Sequence, residues 1–294
     1  MPLSTPDAVR QPSLLDPTRN GAALNAAIPD GIGQWTGRGQ NFAVNWTRAG
    51  TEGAHTHIDS MFELMVLVLD AAVAIAGEGQ RAEAAPRNIC LLPPGAWTLQ
   101  LAPGATCVVL SSLPAGHDAG ALNEDAYADP DPRIVPVGAP YRPVRDADRI
   151  RMLPIDQVSA SPDKPRLKML QSATLSINWV EYDGPRNRQA LSPHSHTSFE
   201  QGSLALAGDF EHHLRVEWGP DADAWQDDRH VKLGSPSLMV VPVQIIHTSE
   251  GVGPGRHLLI DVFSPPRADF IANGWVANSG DYAAPGTASG SQTP

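Results

Sequence analysis

The sequence predicts an all-β protein with two small β-barrels in one chain. Two observations lead to this prediction: the frequency of turn residues and an internal repeat. The 294 residues include 28 Pro and 26 Gly, and these interrupt the chain so often that short strands are favoured over long helices. Hydrophobic residues make up 41% of the chain and charged residues 18%, which is enough apolar material for a sizeable core.

The repeat consists of four short motifs that occur twice in the same order. The first copy contains Phe42-Ala-Val-Asn-Trp46, His55-Thr-His57, Phe62-Glu63 and an apolar strand ending in Leu91-Leu92-Pro93. The second copy contains Leu175-Ser-Ile-Asn-Trp179, His194-Ser-His196, Phe199-Glu200 and an apolar strand ending in Val240-Val241-Pro242. The shared order indicates an internal duplication, and the short strands of each copy indicate a barrel or jelly roll.

The two copies divide the chain into five predicted segments. These are an N-terminal arm (1–30), a first barrel (31–112), a connector rich in Pro and Asp (113–165), a second barrel (166–276) and a tail (277–294). The tail ends in small and polar residues that cannot build a core, so we expect it to be disordered. Within the connector, residues 133–137 and 150–153 are predicted as short strands.

Composition and charge exclude several classes of function. A net charge of −11 disfavours nucleic acid and anionic membranes as partners, since both require a basic surface. No apolar run reaches the roughly 18 residues that cross a bilayer, and no secretory signal is present, so we expect a cytoplasmic protein. Cys90 and Cys107 are expected to be reduced thiols. The sequence contains no nucleophile elbow and no phosphate-binding loop. The expected partner is a small-molecule substrate.

Candidate metal ligands lie in the second copy. Side chains alternate along a strand, so His194 and His196 point to the same side. Glu200 has the same parity, and His247 follows a separate apolar strand that a barrel can place opposite. A lone His-x-His is more often a surface pair, but the added Glu and the later His favour a metal site. Three imidazoles and one carboxylate suit one divalent transition metal, namely Fe, Mn, Ni, Co or Zn.

These residues resemble the two motifs of the cupin superfamily. The first motif corresponds to Gly184 … His194-Ser-His196-Thr-Ser-Phe-Glu200 … Gly208, and the second to Gly234 … Pro242-Val-Gln244-Ile-Ile-His247, with Gln244 where the usual turn glycine stands. The resemblance implies a two-domain cupin, or bicupin, whose barrels are double-stranded β-helices. It implies that His194, His196, Glu200 and His247 are the metal ligands. It also implies that barrels pack face to face, within one chain or in a homodimer.

The first copy departs from the cupin pattern. A longer gap separates His57 from Glu63, and Trp97 or Thr98 stands where the late histidine is expected. We therefore predict that the first barrel binds no metal. A three-ligand site of His55, His57 and Glu63 remains the alternative.

Two further residues of the second copy are candidates for roles in catalysis. His212 and His213 follow Gly208 on a strand, so one of them faces the barrel interior; His213 is the candidate for proton transfer beside the ligands. Arg215 shares a face with His213 and is a candidate for binding an anionic group of the substrate. The alternatives are ordinary core or surface positions, with Arg215 paired to a nearby carboxylate.

Three classes of function stay open. Four protein ligands on a six-coordinate ion leave about two adjacent positions, enough for a chelating substrate or for substrate and O₂. Together with the resemblance, this favours a non-haem Fe(II) dioxygenase of a small aromatic or enolic compound, with Mn, Ni, Co or Zn as other metals. The alternatives are a metal-dependent isomerase or lyase of a small carbonyl or sugar-like compound, and a non-catalytic metal- or ligand-binding bicupin.

Overall fold

The computed structural model describes residues 10–15, 33–114 and 116–286, and these residues form mainly antiparallel strands. The strands of the first half are β1 (Ser13–Leu15), β2 (Gly33–Arg38), β3 (Phe42–Arg48), β4 (Ala54–Ser60), β5 (Leu64–Val68), β6 (Val73–Gly77), β7 (Gln80–Ala84), β8 (Asn88–Leu92), β9 (Gly95–Leu101), β10 (Thr106–Ser112), β11 (Arg142–Pro143) and β12 (Arg151–Pro154). Those of the second half are β13 (Leu167–Gln171), β14 (Ser176–Asp183), β15 (Gln201–Ala207), β16 (Asp209–Val216), β17 (Arg229–Leu233), β18 (Ser237–Val241), β19 (Ile245–Val252), β20 (Arg256–Phe263) and β21 (Tyr282–Ala283).

Helical structure is limited to short elements. The described residues contain one α-helix, α1 (Ala268–Ala272), and 3₁₀ turns at Glu124–Tyr127, Ile155–Gln157, Arg188–Ala190, Ala222–Ala224 and Ser279–Asp281. No helix in this part of the chain has the length and apolar character needed to span a membrane.

The strand order repeats between the two halves, which confirms the two predicted barrels. One six-stranded sheet has the order β12-β8-β5-β10-β3-β2, and the other has the order β1-β18-β15-β20-β14-β13, so equivalent strands occupy equivalent places. The smaller sheets are β4-β9-β6-β7 and β17-β16-β19. In the second barrel, an isolated bridge between His194 and His247 stands where β4 pairs with β9 in the first. The fold is thus the predicted pair of jelly-roll barrels in one chain.

Strands from outside the repeats complete the edges of the large sheets. From the predicted arm, β1 pairs with β18, and from the predicted connector, β12 pairs with β8. The predicted strand at 133–137 is absent, because Pro132 and Pro136 interrupt the segment and prolines donate no ladder hydrogen bond. Ordered chain also continues through residue 286, past the predicted start of the tail, because Tyr282 is buried and β21 pairs with β11.

The largest apolar cluster lies between the two six-stranded sheets. It joins residues of the first barrel such as Met65 and Leu110 to residues of the second such as Ile177 and Ile260. This packing explains why β5 and β18 are buried along their whole length. One face of each strand points into its own barrel and the other face contacts the partner barrel, so both strands are apolar except for Ser237 at the start of β18.

The interiors of the two barrels differ in chemistry. The first is filled by aliphatic side chains and Trp97. The second buries polar groups that include Asn178, Gln201 and Ser203. Buried polar groups destabilise a fold unless they find hydrogen-bond partners. The polar interior of the second barrel therefore makes it the candidate for a functional site.

Candidate metal centre

The structure brings together three of the four predicted ligands. His194 and His247 are joined through the backbone, with His194 N donating to His247 O at 3.1 Å and His247 N donating to His194 O at 2.8 Å. His196 is held beside them, because its carbonyl accepts from Gln244 N at 2.6 Å. One ring nitrogen from each histidine lies within 4.8 Å of the others. We call this group the three-histidine cluster.

Glu200, the fourth predicted ligand, lies outside this cluster. Its Oε2 accepts from Gln40 N at 2.6 Å and its Oε1 accepts from the Tyr127 hydroxyl at 3.2 Å. The prediction assumed that strand parity continues from His196 to Glu200. Residues 197–200 are not in a strand, so the alternation of faces is lost there and Glu200 turns away. Burial raises the pKa of Glu200 to about 7.

Gln201 occupies the position expected for the glutamate. Its Oε1 lies 3.0 Å from Nε2 of His196 and 3.2 Å from Nε2 of His247. Its Nε2 donates to Oδ1 of Asp261 at 2.9 Å and to the hydroxyl of Ser203 at 3.0 Å. Since a carboxylate only accepts, Asp261 fixes the amide with its nitrogen toward the carboxylate and its oxygen toward the histidines.

Sequence reasoning missed both Gln201 and Asp261. Gln201 follows Glu200 directly, so a one-residue shift of the motif would have found it. Asp261 is the single acidic residue in the otherwise apolar run of β20 from Leu258 to Phe263, and an isolated acid in a core strand is a recognisable signal. Burial raises the pKa of Asp261 to about 6.

Two ring orientations are set by backbone carbonyls. Nδ1 of His194 lies 2.8 Å from the carbonyl of Ser192, and Nδ1 of His247 lies 2.9 Å from the carbonyl of Ile245. A carbonyl accepts only from a protonated nitrogen, so these contacts assign the proton to Nδ1 and leave Nε2 with its lone pair. In His247 that lone pair faces the Gln201 oxygen, which is also an acceptor. A cation between them would satisfy both atoms.

Burial keeps two of the three imidazoles, those of His196 and His247, neutral. Burial lowers the pKa of His196 to about 3 and that of His247 to about 4. Neutral imidazole is the form that binds metal. Three imidazole nitrogens and one amide oxygen are borderline-to-hard donors, which fits a divalent transition ion. The residues present therefore fit the metal that the sequence predicts, although with Gln201 in place of a carboxylate.

A cavity of about 450 Å³ opens onto the three-histidine cluster. Its aromatic lining consists of Tyr182, Phe210, Phe263, Phe270 and Trp275, and its charged lining consists of Lys164, Arg166, Arg186, Arg267, Asp261 and Asp269. Arg267 pairs with Asp269 at 2.5 Å, and its guanidinium lies 3.8 Å from the ring centroid of Phe270. The cavity thus combines flat apolar walls with positively charged side chains beside the candidate metal site.

The two candidates for catalytic roles lie elsewhere. His213 faces outward, where its Nε2 lies 3.1 Å from Oε1 of Glu250, and its neighbour His212 is the residue that faces the interior. The prediction could not decide which member of the pair faces inward. Arg215 is 63% exposed and pairs with Asp228, so it does not line the cavity. The structure therefore supports neither the proton-transfer role of His213 nor the substrate role of Arg215.

The structure does not bring His55, His57 and Glu63 together. Both histidines are exposed, while Thr56 between them is buried. The inward face of β4 is therefore displaced by one residue, and such a displacement reverses the direction of every side chain. Glu63 is buried and pairs with Arg151 and with the Tyr282 hydroxyl. Among the described residues of the first barrel, no group of potential ligands converges.

Replacing Glu200 with Gln is expected to leave metal binding intact and to alter the pH dependence of stability. A folded-state pKa of about 7, raised from about 4.5, favours the protonated carboxyl. In the wild type, the contribution of the protonated Glu200 carboxyl to the free energy of unfolding is complete below pH 4.5. It is lost as the pH rises to about 7. The variant lacks that loss, so its unfolding free energy relative to wild type should increase by up to ~1.4 kcal/mol per pH unit in this window.

Urea unfolding of the metal-free proteins between pH 4 and 8 measures this difference, and metal analysis of both proteins provides the second readout. Loss of the metal in the glutamine variant would contradict the placement of Glu200 outside the cluster.

Comparisons with known proteins support the fold. No protein-family model matches the sequence, and no curated protein sequence is significantly similar to it. Among solved structures, AerE from Microcystis aeruginosa superposes with a TM-score of 0.55 at 9% identity, over 89% of this chain and 100% of that chain. A putative glyoxylate-induced protein from Pseudomonas aeruginosa gives 0.54 at 14% identity, over 91% and 94%. At these identities the likeness concerns the fold alone.

Proposed function

From the bicupin fold and the three-histidine cluster, we propose that this chain is a metal-dependent enzyme, and that it acts as a non-haem Fe(II) dioxygenase on a small aromatic or enolic anion. One observation carries the proposal. A cluster of three imidazoles opens into a cavity whose walls are aromatic rings and cationic side chains. Such a combination of a large pocket, a few convergent polar groups and perturbed pKa values is typical of an active site.

His194, His196 and His247 would hold the metal, with the Gln201 amide oxygen beside them. Fe(II) bound there would supply the activation of O₂ and of a chelating substrate. The protein's contribution is orientation, since the carbonyls of Ser192 and Ile245 fix two of the rings before any ligand binds. Fixed ligands spare the site the cost of ordering them when the metal binds.

Cationic side chains at the cavity support an anionic substrate. Arg267 is paired with Asp269, but no ion pair of the described residues involves Lys164, Arg166 or Arg186. The Nε atom of Arg186 is buried and has no hydrogen-bond partner there. In a chain with a net charge of −11, a local excess of cations favours entry of an anion. A carboxylate or enolate could accept from these guanidinium groups.

Asp261 is our candidate for accepting a proton from the substrate. It lines the cavity, and its pKa of about 6 leaves it mostly ionised at pH 7 while keeping it basic enough to bind a proton. Its hydrogen bonds from Gln201 and Ser203 hold the carboxylate in place.

The test is O₂ consumption by protein reconstituted anaerobically with Fe(II). Catechol and 3,4-dihydroxybenzoate provide a matched pair of substrates with and without a carboxylate. We expect O₂ uptake with the pair and a lower KM for the carboxylate. In the Arg166→Met/Arg186→Met variant, the KM for 3,4-dihydroxybenzoate should rise by roughly 10-fold, or ~1.4 kcal/mol, while the KM for catechol should not change. Arg215→Met, which removes an exposed arginine outside the cavity, is the control. Iron-loaded protein without O₂ uptake on any enolic or aromatic anion would contradict the dioxygenase.

One observation favours a second candidate, a metal-dependent isomerase or lyase. The ligands around the cluster are neutral, so they would leave the positive charge of the ion undiminished. Such an ion polarises a carbonyl strongly, and Asp261 could then move the proton. Turnover of a carbonyl compound under nitrogen, without O₂ uptake, would support this alternative over the first.

A further inference from the structure

A second convergence of ligand-type side chains lies on the outer face of the sheet β17-β16-β19. Glu211, His213 and Glu250 each offer an atom within 4.8 Å of the others, and Nδ1 of His230 lies 2.6 Å from Nδ1 of His213. We call these four residues the outer-sheet cluster. In the register of the sheet, Glu211 is opposite Glu250, and His213 is opposite His230. The cluster therefore faces away from the inward-facing His247.

The two carboxylates of this cluster face each other, and the cations beside them, Arg188 and Lys232, are exposed. Two carboxylates stand directly opposite each other on neighbouring strands, an arrangement that destabilises a sheet. Glu250 has only 1% of its side chain exposed, and its guanidinium partner, Arg188, is 69% exposed at 3.1 Å. An exposed partner compensates a buried charge weakly, because water screens the interaction. Lys232 is the other nearby cation, opposite Glu211 on β17.

The His213 ring is also arranged as a ligand. Its Nε2 lies 3.1 Å from the Glu250 carboxylate, and its Nδ1 lies 2.6 Å from Nδ1 of His230. When Nδ1 of His213 donates its proton to Nδ1 of His230, Nε2 keeps its lone pair beside the carboxylates, and a cation there would satisfy both acceptors. One imidazole and two carboxylates within 4.8 Å of one another form a donor set for Zn²⁺ and similar ions.

We propose that the outer-sheet cluster is a second site for a divalent transition cation, of which Zn²⁺ is the representative. A bound cation would neutralise Glu211 and Glu250 together. It would also connect the sheet to the segment that covers it, since Arg188 contacts Glu250 and Arg186 N donates to the carbonyl of Gly251 at 3.0 Å. Arg186 lines the cavity, so occupation of this site stabilises one wall of the active centre from behind.

The experiment separates this site from the three-histidine cluster. His194→Ala/His247→Ala removes the inner site, and this variant is titrated with ZnCl₂ by isothermal calorimetry while its melting temperature is followed. We expect one Zn²⁺ per chain and a rise in melting temperature. Adding Glu211→Gln and His213→Ala should weaken the affinity by roughly 100-fold or more. Asp209→Asn, which removes an exposed carboxylate from the same strand, should leave the affinity unchanged.

Two results would overturn the proposal: a folded double variant, verified by circular dichroism, that binds no Zn²⁺, or binding that survives Glu211→Gln and His213→Ala. If the inner-site variant does not fold, the same titration is carried out on the wild-type chain. Two Zn²⁺ per chain that fall to one on Glu211→Gln/His213→Ala support the site, and an unchanged count excludes it.

Discussion

Replacement of His247 by alanine is expected to lower by one the number of Fe(II) ions bound per chain. His247 is buried, its Nδ1 proton is held by the carbonyl of Ile245, and its Nε2 faces the other ring nitrogens. Loss of one of three imidazoles removes a ligand that neither Gln201 nor solvent can replace in the same geometry. The affinity should fall by at least roughly 100-fold, and O₂ uptake should be lost with it.

Elemental analysis after anaerobic loading and desalting measures this effect. His57→Ala is the control for the loss of a histidine, because His57 lies in the first barrel, is exposed and is hydrogen-bonded to Thr98 at 2.9 Å. Iron content that stays at the wild-type value in His247→Ala would exclude the three-histidine cluster as the metal centre.

The second large effect concerns stability. Trp97→Ala should lower the free energy of unfolding by about 3 to 5 kcal/mol without loss of metal. Trp97 is 2% exposed within the apolar interior of the first barrel, and its indole Nε1 donates to the carbonyl of Pro93 at 2.8 Å. Its removal leaves a cavity lined by aliphatic side chains that have no polar or flexible group to fill it.

Urea denaturation of the metal-free proteins gives the value. Trp218→Ala is the control for the loss of an indole, since Trp218 is 68% exposed, and it should change stability by less than ~0.5 kcal/mol. Loss of metal from the Trp97 variant would instead assign the metal site to the first barrel.

The sequence was sufficient to predict the barrels and the three histidines that the structure brings together. The repeated motifs correspond to strands in equivalent places of the two large sheets, because an apolar strand followed by a turn has the same role in each copy. His194, His196 and His247 are each adjacent to a backbone bridge or a turn that the motifs specify. Local patterns therefore contained the information for these positions.

The remaining features depend on geometry that local patterns do not contain. One irregular stretch, 197–200, exchanges the roles of Glu200 and Gln201, and the phase of β16 decides between His212 and His213. Glu63 illustrates contacts between residues that lie far apart in the sequence. Its partners Arg151 and Tyr282 lie in segments predicted as connector and tail, and no periodicity relates residues so far apart in sequence.

The origin of the edge strands has a consequence for how the chain can be divided. β1 precedes the first barrel in the sequence, but it pairs with β18 of the second barrel. A fragment limited to the second barrel would therefore expose both the unpaired edge of β18 and the apolar face that normally contacts the first barrel. Such an edge invites pairing with other chains. We therefore expect the two copies of the repeat to unfold as a single cooperative unit, and we do not expect the second barrel to function as an excised domain.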